Sequence, residues 1–323
     1  MTLPPRRTFA DREEVLGAVM LGPALAYVIL LVGVPFVFAI LLGFSNATAG
    51  SLSFGWAGLN NYRAILDDPI FLRALRNSVI VTVGSQVLVV ILATAAAQVF
   101  RATFRGKRFA RFVLLLPWAV PVSLAAIAWT WIFDSTFSVI NWTLKAAGLL
   151  HGWLYWLGDP ALALLAIIIV QAWRIFPFAT VIVLAGLSSI PQEIVEAAIV
   201  DGAGFWRRLF RVELPLLLPV VAVAVLFGVV YTATDLGVVY ILTGGGPANT
   251  THVLPTLAFQ RGILGADLGQ GAAIAVFLLP FLIVVAIGML RLAHRDRKST
   301  RLNSSHLGIS YAVFCLNDVT SIQ

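Results

Sequence analysis

The sequence predicts an all-α, polytopic membrane protein built on six transmembrane helices. Three observations carry this expectation. Charged residues make up 11% and hydrophobic residues 60% of the 323-residue chain, whereas a soluble domain carries about 25% charged residues. So few charges cannot cover a soluble surface, but apolar surface facing acyl chains carries no such penalty. Six apolar runs each reach the ~20 residues needed to cross the hydrocarbon core. Finally, the basic residues gather between these runs, unequally on alternating sides.

The runs lie at about 16–43, 77–100, 110–133, 161–186, 214–242 and 269–291. The first follows a tail, residues 1–15, and is too long for a cleavable signal core, so it reads as a retained span. Pro23, Pro35, Pro117, Pro121, Pro177 and Pro219 fall inside the runs. They are expected to kink the helices rather than end them, with neighbours satisfying the freed carbonyls. A β-barrel would show alternating segments of about ten residues; these runs are apolar on every face. The loop after the first span carries Trp56, Tyr62 and Phe71 among polar residues, and Trp142, Trp153, Tyr155 and Trp156 lie between spans three and four. Such rings suit the headgroup level, as anchors or as contacts to a solute or partner.

Of the 22 Lys and Arg residues, sixteen fall in the N-terminal tail, the loops at 101–111 and 207–211, and the flank after span six; the opposite loops hold five. The positive-inside rule then places both termini in the cytoplasm, and six spans return the chain to its starting side. The same distribution argues against nucleic acid as the partner of the +7 net charge, because no continuous basic stripe forms. The single cysteine, Cys315, excludes an internal disulfide framework and a multi-thiolate zinc site.

The most informative stretch is 190–219, IPQEIVEAAIVDGAGFWRRLFRVELPLLLP. Pro191 can open a helix, with Gln192 and Glu193 in its first turn. Ile194, Val195, Ala198 and Ile199 give that helix an apolar side. Asp201 and Gly202 break it: Asp caps the following turn and Gly turns without a Cβ clash. A second short basic helix, about 205–211, leads into span five. The unit is a stiff helix-turn-helix shaped to enter another protein's cleft, or else an ordinary amphipathic loop.

The pattern Glu196-Ala197-Ala198, Asp201-Gly202-Ala203, Phe210, Leu214-Pro215 and Pro219 resembles the EAA loop of inner-membrane permeases from binding-protein-dependent ABC importers. The resemblance implies coupling helices, at about 190–213, that dock in a groove of an ATP-binding subunit. Glu196 would be the interacting glutamate and Gly202 the turn glycine. The segments DLGVVYILTGGGPANTT and QAWRIFPFATVIVLAGLSSIP are similar to the first permease of sugar-type importers, the maltose and glycerol-3-phosphate relatives. That likeness spans about residues 15–293. It implies alternating access in a bacterial or archaeal cytoplasmic (inner) membrane. It also implies a second homologous permease, two nucleotide-binding ATPase subunits and an extracytoplasmic solute-binding protein as partners. No GK[ST] follows Gly244-Gly245-Gly246-Pro247, so no phosphate-binding loop is present. The chain is expected to be no enzyme and to hold no cofactor, with ATP and Mg²⁺ belonging to the partner ATPase. The glycine run is either a tight outer turn or an aid to gating and binding-protein contact.

Intramembrane polar residues turn toward a bundle interior or cavity. Arg174, three residues before Pro177, either supports the kink or lines a path. Asp235 faces a cavity, pairs with Arg174, or lies near the outer surface. Tyr231, Thr232, Thr234 and Asp235 cluster on span five, and Asn77, Ser78, Gln86, Gln171 and Trp173 add polar groups elsewhere. Thr232 and Asp235 are expected to share a helix face. These groups either contact solute or bind helix to helix. No hydrolytic or metal constellation is visible.

The organisation is thus a tail at 1–15, a permease domain at 16–292 and a C-terminal tail at 293–323. From about 299 the texture changes, and the stretch resembles translated sequence attached to unrelated proteins; it is expected to be non-native and unpacked. The alternatives to a sugar permease are import of glycerol-3-phosphate or a polyol by the same architecture, or an ion-coupled secondary transporter.

Overall fold

The computed structural model describes residues 13–51 and 55–292. The expectations for the tails, including Arg6, Arg7, Arg12 and the stretch after 298, lie outside the described residues. Among the described residues the structure is helical, with two isolated β-bridges and no sheet. Among the described residues, five helices are long and apolar enough to cross a membrane: Val19–Gly43, Pro69–Arg101, Pro160–Ser189, Phe205–Ala233 and Leu268–Leu292.

The predicted third span departs from a single helix. Helices α5 (Lys107–Ala119) and α6 (Val122–Ile132) meet at 97°. The physical reason is Pro121, whose ring disfavours helical geometry at the residue before it. Val120 is accordingly extended, with φ −73° and ψ 135°. Pro117, by contrast, is absorbed within α5. Counted as one broken span, the pair brings the total to six.

The chain forms two compact units. Of the described residues, the first contains 13–51, 55–68 and 258–276. Here α1 (Glu13–Val28) passes through a π turn at Ile29–Gly33 into α2 (Val34–Gly43). Pro23 and Pro35 are accommodated along this path. The most apolar window of Val19–Gly43 has no buried residue, so its side chains face lipid or another chain. α2 and α3 (Asn60–Leu66) pack on the helix Leu268–Val276. Small residues permit the approach: a Cβ on Gly43 would sit 3.3 Å from Ala273 Cα. Asn61 Nδ2 donates to the carbonyls of Gly43 (3.0 Å) and Ser45 (2.8 Å), satisfying free carbonyls at the buried end of α2. Burial pushes the Tyr62 phenol above its ordinary pKa. Trp56, in the preceding loop, is exposed and stacks on Phe44 at 5.7 Å.

The second unit contains, of the described residues, Pro69–Leu257 and 277–292. Its centre is α4 (Pro69–Arg101) packed on α8 (Pro160–Ser189), with α11 (Leu214–Ala233) against both. The 33 residues of α4 extend about 50 Å at 1.5 Å per residue, well beyond the ~30 Å hydrocarbon core. Its first turns fall in the outer loop that the sequence reads as partly helical and membrane-surface-like, with Phe71 as an interfacial ring. Instead Phe71 is fully buried, 5.0 Å from Phe277. The α4–α8–α11 core is alanine-rich, with Ala93, Ala97, Ala172, Ala179 and Ala224 around Leu187 and Leu217. Small side chains bring membrane helices close enough for dispersion to hold them. Asp159 caps α8 by accepting from the backbone N–H groups of Ala161 and Leu162, both at 2.9 Å.

The loop helix α7 (Val139–Ala146) is capped by Ser138, which accepts from Asn141 N at 3.1 Å. Trp142, Trp153 and Tyr155 are exposed, but Trp156 departs from the interfacial expectation. It is buried, and its indole N–H donates to Asn141 Oδ1 at 3.0 Å. The predicted fifth span also ends early. α11 stops at Ala233 and α12 (Gly237–Thr243) starts after a break at 234–236.

Candidate functional site

Helix α9 (Gln192–Val200) begins after Pro191, whose extended ψ of 134° ends the preceding segment. Glu193 lies in its first turn, and Gln192 Nε2 donates to Glu196 Oε1 at 2.7 Å. Val195 and Ala198 are buried, while Glu196, Ala197 and Ile199 are exposed. The helix ends in a Schellman motif: Ala203 N donates to Ala198 O (2.9 Å) and Gly202 N to Ile199 O (3.0 Å). Gly202 carries the required left-handed backbone, φ +74°. Asp201 does not cap the next helix as expected. It occupies the C-cap of α9, and Gly204 precedes α10 (Phe205–Arg208) without a side-chain cap.

The second short helix is not separate from the span that follows. From α10 the backbone runs through a π turn, Leu209–Glu213, into α11, giving one continuous helix from Phe205 to Ala233. Phe205, Trp206 and Phe210 are exposed along it, with adjacent ring centroids 5.1 and 6.0 Å apart. Leu214 is half-buried and Pro215 exposed at the start of α11. Glu213, absent from the residues singled out in the sequence, is fully buried. Its only sequence signal is an acid set among Arg207, Arg208 and Arg211 at the foot of an apolar run.

A second group of polar residues lies within α4, α8 and the α11–α12 break. Arg174 Nη1 reaches Asp235 Oδ2 at 2.7 Å, both side chains being 8% exposed. Asp235 Oδ1 also accepts from Val238 N at 2.8 Å, capping α12. Thr232 and Asp235 therefore do not share a helix face; the helix ends between them. Thr232 Oγ1 instead accepts from Gln86 Nε2 at 3.1 Å. Gln171 is fully buried, and its side-chain amide makes no hydrogen bond among the described residues. Beside Arg174, whose guanidinium carbon is 5.9 Å from the Tyr231 ring centroid, runs an aromatic ladder. It passes from Trp118 to Phe178 (5.7 Å), Phe227 (4.4 Å) and Tyr231 (4.6 Å). Sequence reading found Tyr231 but not this ladder, because its rings come from three helices far apart in the chain.

Asn77 and Ser78 are engaged elsewhere. Asn77 Nδ2 donates to the carbonyls of Thr250 (2.7 Å) and His252 (3.0 Å), and Ser78 Oγ accepts from Leu254 N at 2.8 Å. The glycine run forms a tight turn, with Gly244 at φ +59° and Gly245 at φ +91°. His252 packs against Gly245 so closely that any Cβ there would collide with the imidazole. Among the described residues, no three His, Cys, Asp or Glu side chains are placed to hold a metal ion.

Long apolar helices, an exposed elbow continuous with one of them, and a buried polar cluster make this a polytopic membrane protein. Residues 89–298 match the family described as binding-protein-dependent transport system inner membrane component, and the chain belongs to that family. It is a membrane permease component of an ABC-type importer, which overturns the ion-coupled alternative. It is 32% identical over 275 residues to the trehalose/maltose transport system permease protein MalF of Thermococcus litoralis, covering 85% of this chain and 92% of the relative. It is 33% identical over 248 residues to the sn-glycerol-3-phosphate transport system permease protein UgpA of Agrobacterium fabrum, covering 74% and 83%. Its fold resembles a chain of a bacterial alginate ABC transporter solved with an alginate pentasaccharide-bound periplasmic protein. The TM-score is 0.73 at 20% identity, over 90% of this chain and 98% of the other.

Proposed function

We propose that this chain forms one side of the path for a carbohydrate or related solute, in an importer powered by separate ATPase subunits. A second homologous permease completes the path, and an extracytoplasmic binding protein delivers the solute. The elbow at about 190–213 faces the cytoplasm, as do both termini. Glu196, Ala197, Ala198, Asp201, Gly202, Ala203, Phe210, Leu214 and Pro215 form the coupling surface and its hinge. The observation that carries this reading is the unbroken helix Phe205–Ala233. A push on the elbow is delivered directly to a span, because a helix transmits axial force better than a flexible loop.

Tyr231, Thr232, Arg174 and Asp235 border the proposed path. The aromatic ladder beside them offers ring faces for sugar stacking, and the likeness to a trehalose/maltose transport system permease supports a carbohydrate. The glycerol-3-phosphate relative supports a second reading, a phosphorylated solute or a polyol. Arg174, however, is already neutralised by Asp235 at 2.7 Å, which favours an uncharged solute.

Copurification with the ATPase tests the elbow. Gly202 has nothing within 4 Å of an added Cβ, so Gly202→Ala costs only its left-handed backbone, about 1 kcal/mol. Gly202→Ala and Glu196→Ala should both weaken ATPase association while the chain still folds. Undiminished association in both would refute the assignment. The solutes bound by the partner receptor decide between carbohydrate and phosphate.

A further inference from the structure

Glu213 is a fully buried carboxylate at the foot of α11, two residues beyond the elbow's last arginine. Both its oxygens are engaged. Oε2 accepts from Gln98 Nε2 at 2.6 Å, and Oε1 accepts from Arg101 Nη1 at 2.8 Å. Arg208 Nε lies 3.3 Å from Oε1, at ion-pair distance. Gln98 and Arg101 belong to the last turns of α4, whereas Arg208 belongs to α10. One carboxylate thus joins the elbow, the foot of α11 and the end of α4.

Burial makes this junction selective. A carboxylate shielded from water needs charged and hydrogen-bonding partners, and charge-assisted bonds are shorter and stronger than neutral ones. With two arginines on one acid, the junction holds only while α4 keeps its present spacing to the continuous helix Phe205–Ala233. Displacing the elbow without α4 would strand a buried charge.

We infer that Glu213 is a positioning residue that yokes α4 to the elbow, so that movement imposed on the elbow turns α4 and α11 together. This inference rests on the proposed coupling role of the elbow. It adds that α4, which the coupling surface does not include, is driven through Glu213.

The test uses the complete transporter in proteoliposomes with its ATPase and solute-loaded receptor. Glu213→Gln keeps the shape but removes the charge. Arg101→Gln alters the partner at the rim, 31% exposed as a side chain, and guards against a folding defect at the buried site. For each variant, ATPase copurification, ATP hydrolysis and solute moved per ATP are measured. The expected result is intact copurification, with solute moved per ATP falling several-fold in both variants and hydrolysis depending less on the loaded receptor. Glu213→Asp should recover part of the ratio. An unchanged ratio, whether hydrolysis is normal or falls in step with transport, overturns the yoke and leaves the elbow assignment intact. Loss of copurification in both well-folded variants also overturns it, because Glu213 would then serve docking. Failure of the elbow assignment itself is read separately from Glu196→Ala and Gly202→Ala.

Discussion

Arg174 and Asp235 show what a pair of intramembrane charges requires. Each side chain is almost wholly removed from solvent, they meet at 2.7 Å, and Asp235 also caps α12. Removing one partner of a buried pair leaves an uncompensated charge, at a cost of about 3–5 kcal/mol, while replacing both costs far less. Asp235→Ala should therefore lower the thermal stability of the purified protein more than the Arg174→Met, Asp235→Ala double replacement. Equal or additive losses would mean that the pair contributes little. The sequence marked both residues and left their pairing open, because separation between two helices is not encoded in either one. Gly202 was more legible: its turn is local, and the need for φ +74° follows from the chain reversal itself. Glu213 escaped notice because its meaning depends on Gln98 and Arg101, more than a hundred residues earlier.

At the scale of elements, hydropathy located the membrane helices but was blind to backbone direction. Five spans followed from apolar length alone. The 97° bend at Pro121 and the break at 234–236 did not, because both interrupt runs that remain apolar in composition. The six prolines were treated alike, yet only Pro121 separates two helices, since only there is the preceding residue released to extended geometry. The join between α10 and α11 matters most for mechanism. A Gly-Gly insertion between Arg211 and Val212 places two poor helix formers, each costing about 1 kcal/mol, in the connecting turn. Solute uptake should be lost while the ATPase still copurifies. The same insertion between Gly148 and Leu149, in an exposed loop, should leave uptake near normal. Uptake surviving the first insertion would show that a rigid connection is not needed.

For the whole molecule, burial is uneven in a way that fits a subunit of a larger assembly. None of the most apolar window of Val19–Gly43 is buried, against 56% for Pro160–Ser189. The latter is a central scaffold, and the former finds its contacts in lipid or in another chain. The elbow likewise exposes Val200, Trp206 and Phe210, apolar surface of a kind that marks an interaction site. By the positive-inside rule the basic residues predict a cytoplasmic elbow, the side on which these features work as one mechanism.

Labelling of Val200→Cys in a Cys315→Ser background, with a membrane-impermeant maleimide, tests that claim most directly, since residue 200 is 87% exposed. Reaction is predicted in inside-out vesicles and not in right-side-out ones, with protection once the ATPase subunits are bound. Labelling from the outer face, or labelling that bound ATPase leaves unchanged, would contradict the account.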